Sequence, residues 1–555
     1  MPEFELGLRW WTDCGHLPGA FASLIALVAF ALLSSSIFLF MKPPSKSDLL
    51  DLGYPPGAGL EAMLARLDEL AARGIHDPKY LLKLLKREYG PPPPRLALRD
   101  EPAPWTEALA ATGKDEHENL YAVRRQMQTL LKTPVISRGV VLPDACPMGG
   151  GDAVIPVGAA IAVENAIIPS AHSSDICCSM FATFYEERSS VAAELDTLTG
   201  ATRFGTGHRH LDLLVDDPVH DEDVWDNPFL TGLRDRAKLH MADQGDGNHF
   251  AYLGTLEITP ALLGSLRLAG HVEVAAGLAT AAAGRCRVLV THHGSRGLGA
   301  HVFKRGQIAA EKHTATVSAR IPAAAAWLDA RAGTGPAYWE ALQYVALWTK
   351  ANHRSIHRRF LERLGATGLA EIGNEHNFVW QRGDTFFHGK GATPAWRDAR
   401  GRPLLGLIPL NMAAPVLIVL GADQAEFLSF APHGAGRNIS RTALRRRFRG
   451  PESREYEIAR ATAGLDVRWY CGRPDLSETP VAYKDAAQVR EQIQRFGLAE
   501  VIGEIQPLGC IMAGDTGRAA WRDREEELTP KQLRQIGHRA DRRKMNRHLS
   551  GYEEE

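Results

Sequence analysis

Apolar and charged residues alternate at helical spacing between residues 47 and 90. The apolar positions recur three or four residues apart, as expected for one buried face of a helix. These positions are Leu60, Met63, Leu64, Leu67, Leu70, Tyr80, Leu81, Leu84 and Leu85. Gly90 and the four prolines after it cannot continue a helix. We therefore predict two short helices and a linker, and a further helical stretch over residues 101–133.

From Pro134 the pattern changes to short valine, isoleucine and alanine runs that glycines interrupt, as in residues 140–142. Such runs favour strands joined by loops. Strands and helices then alternate to about Gly514. We predict an α+β fold, with one large domain of β-sheet core and surrounding helices over residues 134–514. A helical N-terminal extension (41–133) would precede this domain, and a charged tail (515–555) would follow it.

The first forty residues form a hydrophobic leader. Residues 17–41 carry no formal charge, and this stretch is long enough to span a bilayer. Lys42 and Lys46 follow it. Three interpretations stay open: translation that starts at Met41, a cleaved signal peptide, or a real membrane anchor. Except with a signal peptide, the main body would lie in the cytosol, and a membrane would be a partner only if the anchor is real.

Composition limits the class of protein. Hydrophobic residues make up 45% of the chain and charged residues 23%, which is typical of a globular protein. The net charge of −1 means that any nucleic-acid surface must come from local clustering of arginine and lysine. Seven cysteines among 555 residues argue against a disulfide framework and leave thiolates free for metal binding or catalysis.

Residue types that bind metals recur in glycine-rich or small-residue surroundings. Asp175 and Cys178 stand three positions apart, and histidines follow at 249, 292, 376 and 433. A carboxylate, a thiolate and three imidazoles would suffice for a two-metal site with a bridging sulfur. This mixed set suits Mn²⁺, Fe²⁺, Co²⁺ or Zn²⁺ better than Mg²⁺, which prefers oxygen ligands. Each motif alone is weak, since a histidine beside glycine is more often a loop residue than a ligand.

Eight short strings occur in an order that resembles the RtcB family of RNA-splicing ligases. They are PVIS with LPDACPMG (134–149), IIP with SDICC (167–178), GNHF (247–250), HHGSRGLG (292–299), HN with KGATP (376–394), GLIP (406–409), SF with HGAGR and SR (429–441), and P with YKD (480–485). The resemblance covers residues 134–514. It implies that this segment is the catalytic domain of a divergent member.

The resemblance implies a role for each matched residue. Asp175, Cys178 and His376 would hold one metal, and Cys178, His249 and His292 a second, with two Mn²⁺ ions as the expected cofactors. His433 would attack the α-phosphate of GTP to form a histidine–GMP adduct. The positions implied to contact the nucleotide are Asn248, Phe250, Ala435, Gly436 and Tyr483. Arg296 and Arg437 would contact RNA phosphate, with a structural ion pair as the alternative for each.

The implied activity is the joining of an RNA 3′-phosphate, or a 2′,3′-cyclic phosphate opened first, to a 5′-hydroxyl end in RNA repair or tRNA splicing. The implied enzyme is cytoplasmic and monomeric. Two other classes stay open: an RNA-end-binding or regulatory paralogue that does not ligate, and a metal-dependent phosphoesterase.

Several positions depart from the family pattern. Tyr252 stands where the family has an acid that contacts guanine, and Ala513 where it has a lysine that also contacts the base. Leu410, Asn411 and Met412 replace a serine-bearing loop, and Cys146 is either an extra ligand or a small apolar residue. We therefore expect the metal and histidine chemistry to be kept while base preference is altered, since polar contacts carry specificity.

Basic residues flank the motifs. They are Arg441, Arg445, Arg446, Arg447 and Arg449 after HGAGR, and Arg539, Arg542, Arg543, Lys544 and Arg547 in the tail. A solvated helix face and a path for RNA phosphates are both compatible with such clusters.

Overall fold

The computed structural model describes residues 43–54, 57–92, 96–209, 213–318 and 321–515. The predicted leader and the basic residues of the tail lie outside these ranges. None of the helices within them combines the length and the apolar composition that crossing a membrane requires.

Thirteen α-helices lie in the described ranges. They are α1 (Lys46–Asp51), α2 (Ala58–Ala72), α3 (Pro78–Tyr89), α4 (Lys114–Leu130), α5 (Val191–Ala201), α6 (Arg234–Leu239), α7 (Pro260–Leu268), α8 (Val272–Leu278), α9 (Arg296–Val317), α10 (Gly335–Leu364), α11 (Arg441–Arg447), α12 (Pro451–Ala461) and α13 (Ala486–Arg495).

Nineteen strands lie in the same ranges. They are β1 (Trp105–Glu107), β2 (Ile136–Cys146), β3 (Val157–Glu164), β4 (Ala166–Ile167), β5 (Ser179–Tyr185), β6 (Arg203–Phe204), β7 (Asp243–Gly245), β8 (Phe250–Glu257), β9 (Arg285–His293), β10 (Leu328–Asp329), β11 (Gly368–Glu375), β12 (Asn377–Arg382), β13 (Thr385–Lys390), β14 (Ala392–Pro394), β15 (Leu405–Pro409), β16 (Val416–Gly421), β17 (Phe430–Pro432), β18 (Asp466–Trp469) and β19 (Ala499–Met512).

The strands build two large sheets. An eight-stranded sheet has the order β11-β5-β9-β8-β19-β16-β15, and β18 pairs with β19 beside this path. A five-stranded sheet has the order β1-β2-β3-β13-β12, and three two-stranded pairs complete the set. Neighbouring strands in the large sheet are antiparallel, except for β18 and β19. The predicted α+β fold with a β-sheet core is confirmed.

The chain divides into two compact units. The smaller contains the described residues up to Ala97 together with residues 314–318. Its helices α2 and α3 confirm the two helices predicted from the apolar spacing. Asp77 caps α3 by accepting from the backbone of Lys79, and Pro78 opens the helix. Leucines at positions 60, 67, 70, 81 and 85 form its core.

The larger unit contains the remaining described residues from Leu98 onward. The division between compact units falls at residue 97, and the domain boundary at residue 133 stays a prediction. The helix predicted over residues 101–133 is restricted to α4, because residues 105–107 form β1. That strand pairs in parallel with β2, with Trp105 opposite Gly139, so a partner 34 residues away overrides the local helical pattern.

Helix α10 packs against the large sheet and is thirty residues long. It ends at Gly365, which adopts a left-handed conformation with φ of 64°. His353 and His357 are buried on its inner face. They form hydrogen bonds with the Thr291 hydroxyl of β9 at 2.7 and 2.8 Å. These hydrogen bonds hold α10 against β9, which carries residues of the candidate site.

Candidate functional site

The ends of four neighbouring strands meet at one edge of the large sheet. Strands β5 and β8 begin there, and β9 and β11 end there, because adjacent strands run in opposite directions. The register places Met180 and Phe250 opposite His292, and Ser179 opposite Glu375. Residues that are distant in sequence therefore become neighbours at this edge.

The five predicted metal ligands converge at this edge. Cys178 Sγ lies 3.2 Å from His292 Nε2 and 3.7 Å from His249 Nε2. His292 Nε2 lies 3.1 Å from His376 Nε2, and His249 Nε2 lies 2.8 Å from a carboxylate oxygen of Asp175. The atoms form two triads, each within 4.8 Å, that share Cys178. Donor atoms this close are arranged as the ligands of one or two cations would be.

Proximity alone groups the donor atoms in one way, and the grouping around two metals that the resemblance implies stays a prediction. Asp175, Cys178 and His249 form one triad, and Cys178, His292 and His376 form the other. The resemblance had instead combined Asp175 with His376, and His249 with His292. Asp175 reaches this position because Gly294 leaves room, since a Cβ on Gly294 would lie 2.0 Å from the Asp175 carboxylate.

Backbone carbonyls orient two of the imidazoles. His249 Nδ1 lies 2.7 Å from the Gln244 carbonyl oxygen, and His292 Nδ1 lies 3.1 Å from that of Asn248. If each Nδ1 donates its proton there, Nε2 keeps a free lone pair for a metal. The buried Nδ1 of His376 has no hydrogen-bond partner among the described residues. The fit to a cation comes from the donor set, because thiol, carboxylate and imidazole groups are the ligands of transition-metal ions and lie close together here.

Burial sets the protonation of these groups. It lowers the pKa of His292 to about 3, with further contributions from His249 and His433. It also holds the pKa of His376 well below its usual range. Burial alone would raise the pKa of Asp175, but neighbouring His249 brings it down to about 2. Burial raises the pKa of the Cys178 thiol, so metal binding would release its proton.

His433 follows β17, and its ring centroid lies 4.8 Å from that of His376. Its Nδ1 lies 2.5 Å from a carboxylate oxygen of buried Asp144 and 2.9 Å from the Gly391 carbonyl oxygen. Both partners are acceptors, so Nδ1 carries the proton and Nε2 the lone pair. Nε2 has no hydrogen-bond partner among the described residues. The arrangement leaves a nucleophilic nitrogen at the cavity.

Asp144 received no role from the sequence, although it lies in the quoted LPDACPMG string. It reaches His433 across 289 positions, a separation that local spacing does not reveal. Gly436 allows the close approach: its φ is 72°, and a Cβ there would lie 2.0 Å from the Asp144 backbone oxygen.

A cavity of about 510 Å³ adjoins these residues. Its size is that of a small-molecule site. Asp175, Cys178, His292, His376 and His433 line it, and so do all five residues expected to contact the nucleotide: Asn248, Phe250, Ala435, Gly436 and Tyr483.

Lys390 also lines this cavity and is another residue without a role from the sequence. Only 7% of it is exposed, and its ammonium has no recorded partner among the described residues. Burial lowers the pKa of Lys390 to about 8.

The two predicted RNA-phosphate arginines have internal partners. Arg437 lines the cavity, reaches Glu478 at 3.4 Å and lies over the Tyr483 ring at 5.2 Å. Arg296 is absent from the described cavity lining and forms an ion pair with Asp243 at 3.5 Å. The RNA contact stays a prediction for both.

The basic cluster after HGAGR lies on and just after α11. Three of its members face acids: Arg441 lies 2.8 Å from Glu478, Arg445 4.0 Å from Asp475, and Arg447 3.2 Å from Asp115. These ion pairs engage three of the five arginines of the cluster with acidic side chains of the same chain.

The chain matches the family model described as tRNA-splicing ligase RtcB over residues 224–513, more than half its length. The chain belongs to the RtcB family. The RNA-splicing ligase RtcB of Mycobacterium bovis is 27% identical over 344 residues, which cover 57% of this chain and 76% of that protein. The tRNA-splicing ligase RtcB of Archaeoglobus fulgidus is 25% identical over 307 residues, covering 50% and 60%. That of Pyrococcus abyssi is 26% identical over 253 residues, covering 40% and 27%.

The RtcB match contains His249, His292, His376 and His433 but begins after Asp175 and Cys178. The start of β5 beside β9 and β11 brings these two residues to the same sheet edge. The structure therefore places the Asp175 carboxylate and the Cys178 thiol beside the histidines of the RtcB match.

Proposed function

We propose that this protein is a metal-dependent RNA ligase that uses GTP and carries the nucleotide on His433. It would join a 3′-phosphate or 2′,3′-cyclic phosphate end to a 5′-hydroxyl end in RNA repair or tRNA splicing. The observation that carries the proposal is the free Nε2 of His433, held beside the metal-ligand cluster by Asp144. Membership of the RtcB family and the names of its relatives support it.

In the first step, Nε2 of His433 attacks the α-phosphorus of GTP. A P–N bond forms, the bond to the β-phosphate oxygen breaks, and pyrophosphate leaves. Asp144 keeps the ring in the reactive orientation and offsets the positive charge that the imidazole acquires. Lys390 and the backbone N–H groups around Gly436 line the cavity where the phosphates would lie.

Asp175, Cys178, His249, His292 and His376 would hold the cations. Bound there, divalent cations would offset charge on the triphosphate and its leaving pyrophosphate. The mixed oxygen, nitrogen and sulfur donors favour Mn²⁺ or a similar transition ion over Mg²⁺.

The later steps pass GMP to the RNA. An oxygen of the RNA 3′-phosphate attacks the phosphorus of the adduct, and the bond to His433 breaks. The 5′-hydroxyl of the second strand then attacks the 3′-phosphate, a phosphodiester forms and GMP leaves. A 2′,3′-cyclic phosphate is first hydrolysed to a 3′-phosphate.

The test is covalent labelling. The full-length protein is incubated with Mn²⁺ and GTP labelled at the α-phosphate, and an acid-labile label is measured. The label should be lost in His433→Ala and kept in the matched control His117→Ala, because His117 is an exposed histidine on α4. Label retained in His433→Ala would refute the assigned nucleophile.

A second assay separates the function classes. An oligonucleotide with a 3′-phosphate is mixed with one carrying a 5′-hydroxyl, and joined product is measured. Joining that requires His433 supports ligation. Free phosphate released without joining would replace the proposal with a phosphoesterase, and binding of RNA ends without reaction would indicate a paralogue that does not ligate.

A further inference from the structure

One end of the cavity is apolar, in contrast to the end that holds His433. Its lining side chains are Tyr252, Leu410, Met412, Val416, Cys510 and Met512. Strand register explains their proximity, since Tyr252 pairs with Cys510, and Phe250 with Met512. The wall is continuous with a core of the large sheet that contains four of the six residues.

Phe250 connects the two ends. Its ring centroid lies 5.2 Å from that of His292 and 6.4 Å from that of Tyr252. A nucleotide whose phosphates lie beside His433 and Lys390 would therefore place its base beyond Phe250, against the apolar wall. Flat aromatic rings pack well on such surfaces.

The hydroxyl of Tyr252 is already engaged in a hydrogen bond within the protein. Tyr252 is 2% exposed, and its hydroxyl donates to the backbone carbonyl of Ile505 at 3.0 Å. It thus contributes its ring to the cavity while its polar atom is already bonded.

The carboxylates that line the cavity within the described ranges are Asp175 and Glu478. Asp175 belongs to the metal-ligand cluster. Glu478 accepts from Arg441 at 2.9 Å and from the Tyr483 hydroxyl at 3.0 Å, and Arg437 lies 3.4 Å away. Neither carboxylate is free to pair with the N–H edge of a guanine.

We infer that the apolar end binds a purine base by stacking and shape, and that adenine and guanine nucleotides bind with similar affinity. This inference rests on the proposed function for the position of the phosphates. Guanine presents N–H donors where adenine presents an acceptor, and strong discrimination requires a fixed polar partner for that edge. Asn411 is neutral, and its side-chain oxygen already accepts from the Ala413 N–H at 3.0 Å.

Equilibrium binding tests the inference without any chemical step. The probes are the α,β-methylene analogues of GTP, ATP and UTP, titrated into the full-length protein with Mn²⁺. We expect the two purine analogues to differ by less than about tenfold and UTP to bind more weakly because its ring is smaller. A purine preference above about tenfold in either direction, or no binding of either purine, would overturn the inference.

Two variants sharpen the test. Tyr252→Glu places a carboxylate at the wall and should shift the GTP-to-ATP affinity ratio by about tenfold or more towards GTP. The matched variant Tyr252→Phe removes only the hydroxyl bonded to Ile505 and should leave the ratio unchanged. A ratio that changes in Tyr252→Phe contradicts the inference, and the wild-type ratio decides the matter if Tyr252→Glu does not fold.

Labelling separates failure of this inference from failure of the proposed function. Equal binding of both purines without any label on His433 would leave the base site standing and refute the ligase chemistry. Label from GTP together with a purine preference above about tenfold in the binding titration would leave the ligase standing and refute the relaxed base site.

Discussion

The two ends of the cavity are held together by different forces. At the polar end, His292 contacts a backbone carbonyl and His433 a carboxylate, so their positions depend on single atoms. At the apolar end, Tyr252 and Val416 belong to a core cluster and are held by packing. Single substitutions at the polar end should therefore abolish chemistry, whereas those at the apolar end should change affinity gradually.

The largest effect should come from Cys178→Ala, because Cys178 belongs to both triads. We expect metal content to fall sharply and covalent labelling to drop on the order of a thousandfold. Metal analysis and the rate of labelling measure both effects. The matched control is Cys177→Ala, the neighbouring buried cysteine, which packs in a hydrophobic core and should keep its metal. Full metal content in Cys178→Ala would contradict a shared ligand.

Asp144→Asn should separate the nucleophile from the metals. The amide lacks the charge that orients His433 and stabilises its cationic form, so labelling should slow about a hundredfold. Metal content should stay at the wild-type level. Asp152→Asn is the control, because Asp152 is an exposed acid paired with Arg125. Loss of metal in Asp144→Asn would show that the two parts of the polar end are not separable.

The affinity for triphosphates should depend on pH through Lys390. Burial lowers its pKa to about 8, so the ammonium is charged below that pH and neutral above it. Binding of α,β-methylene GTP should weaken by up to about tenfold as pH rises from 7 to 9.5. Lys390→Met should bind weakly at every pH with a flatter profile. A wild-type affinity that stays constant across this range would exclude a phosphate contact.

The smallest effect belongs to the apolar end. Val416→Ala removes two methyl groups from the wall and should weaken every nucleotide analogue by roughly fivefold. Metal content and the GTP-to-ATP ratio should not change. Val419→Ala on the same strand is the control, since it packs in a different core cluster. A loss of metal in Val416→Ala would mean that the two ends of the cavity are coupled.

The sequence predicted which residues converge, and their grouping around two metals stays a prediction. Asp175, Cys178 and the three histidines carry the right chemistry for metal binding, and string order supported their association. Their division into triads follows from the register of four strands, which no local pattern reveals. The role of Asp144 was missed for the same reason.

Local patterns failed where a distant partner decides. Residues 105–107 look helical in sequence but pair with β2. Arg296 lies within a glycine-rich string suited to phosphate and its guanidinium faces Asp243, so its contact with RNA stays a prediction. The helices α2 and α3 were predicted well, because the spacing of their leucines already describes their buried face.

The metal-ligand cluster draws its residues from both ends of a segment that runs from Asp175 to His376. During synthesis, the triad Asp175–Cys178–His249 is complete once His249 has been made. The triad Cys178–His292–His376 is complete only after His376 has been made. Strand β11, which precedes His376, is the outermost strand of the large sheet and pairs with β5. A growing chain thus has both triads only once this strand has emerged, and β15, β16, β18 and β19 of the same sheet are made after it. All of the candidate metal ligands are therefore synthesised before the large sheet is complete.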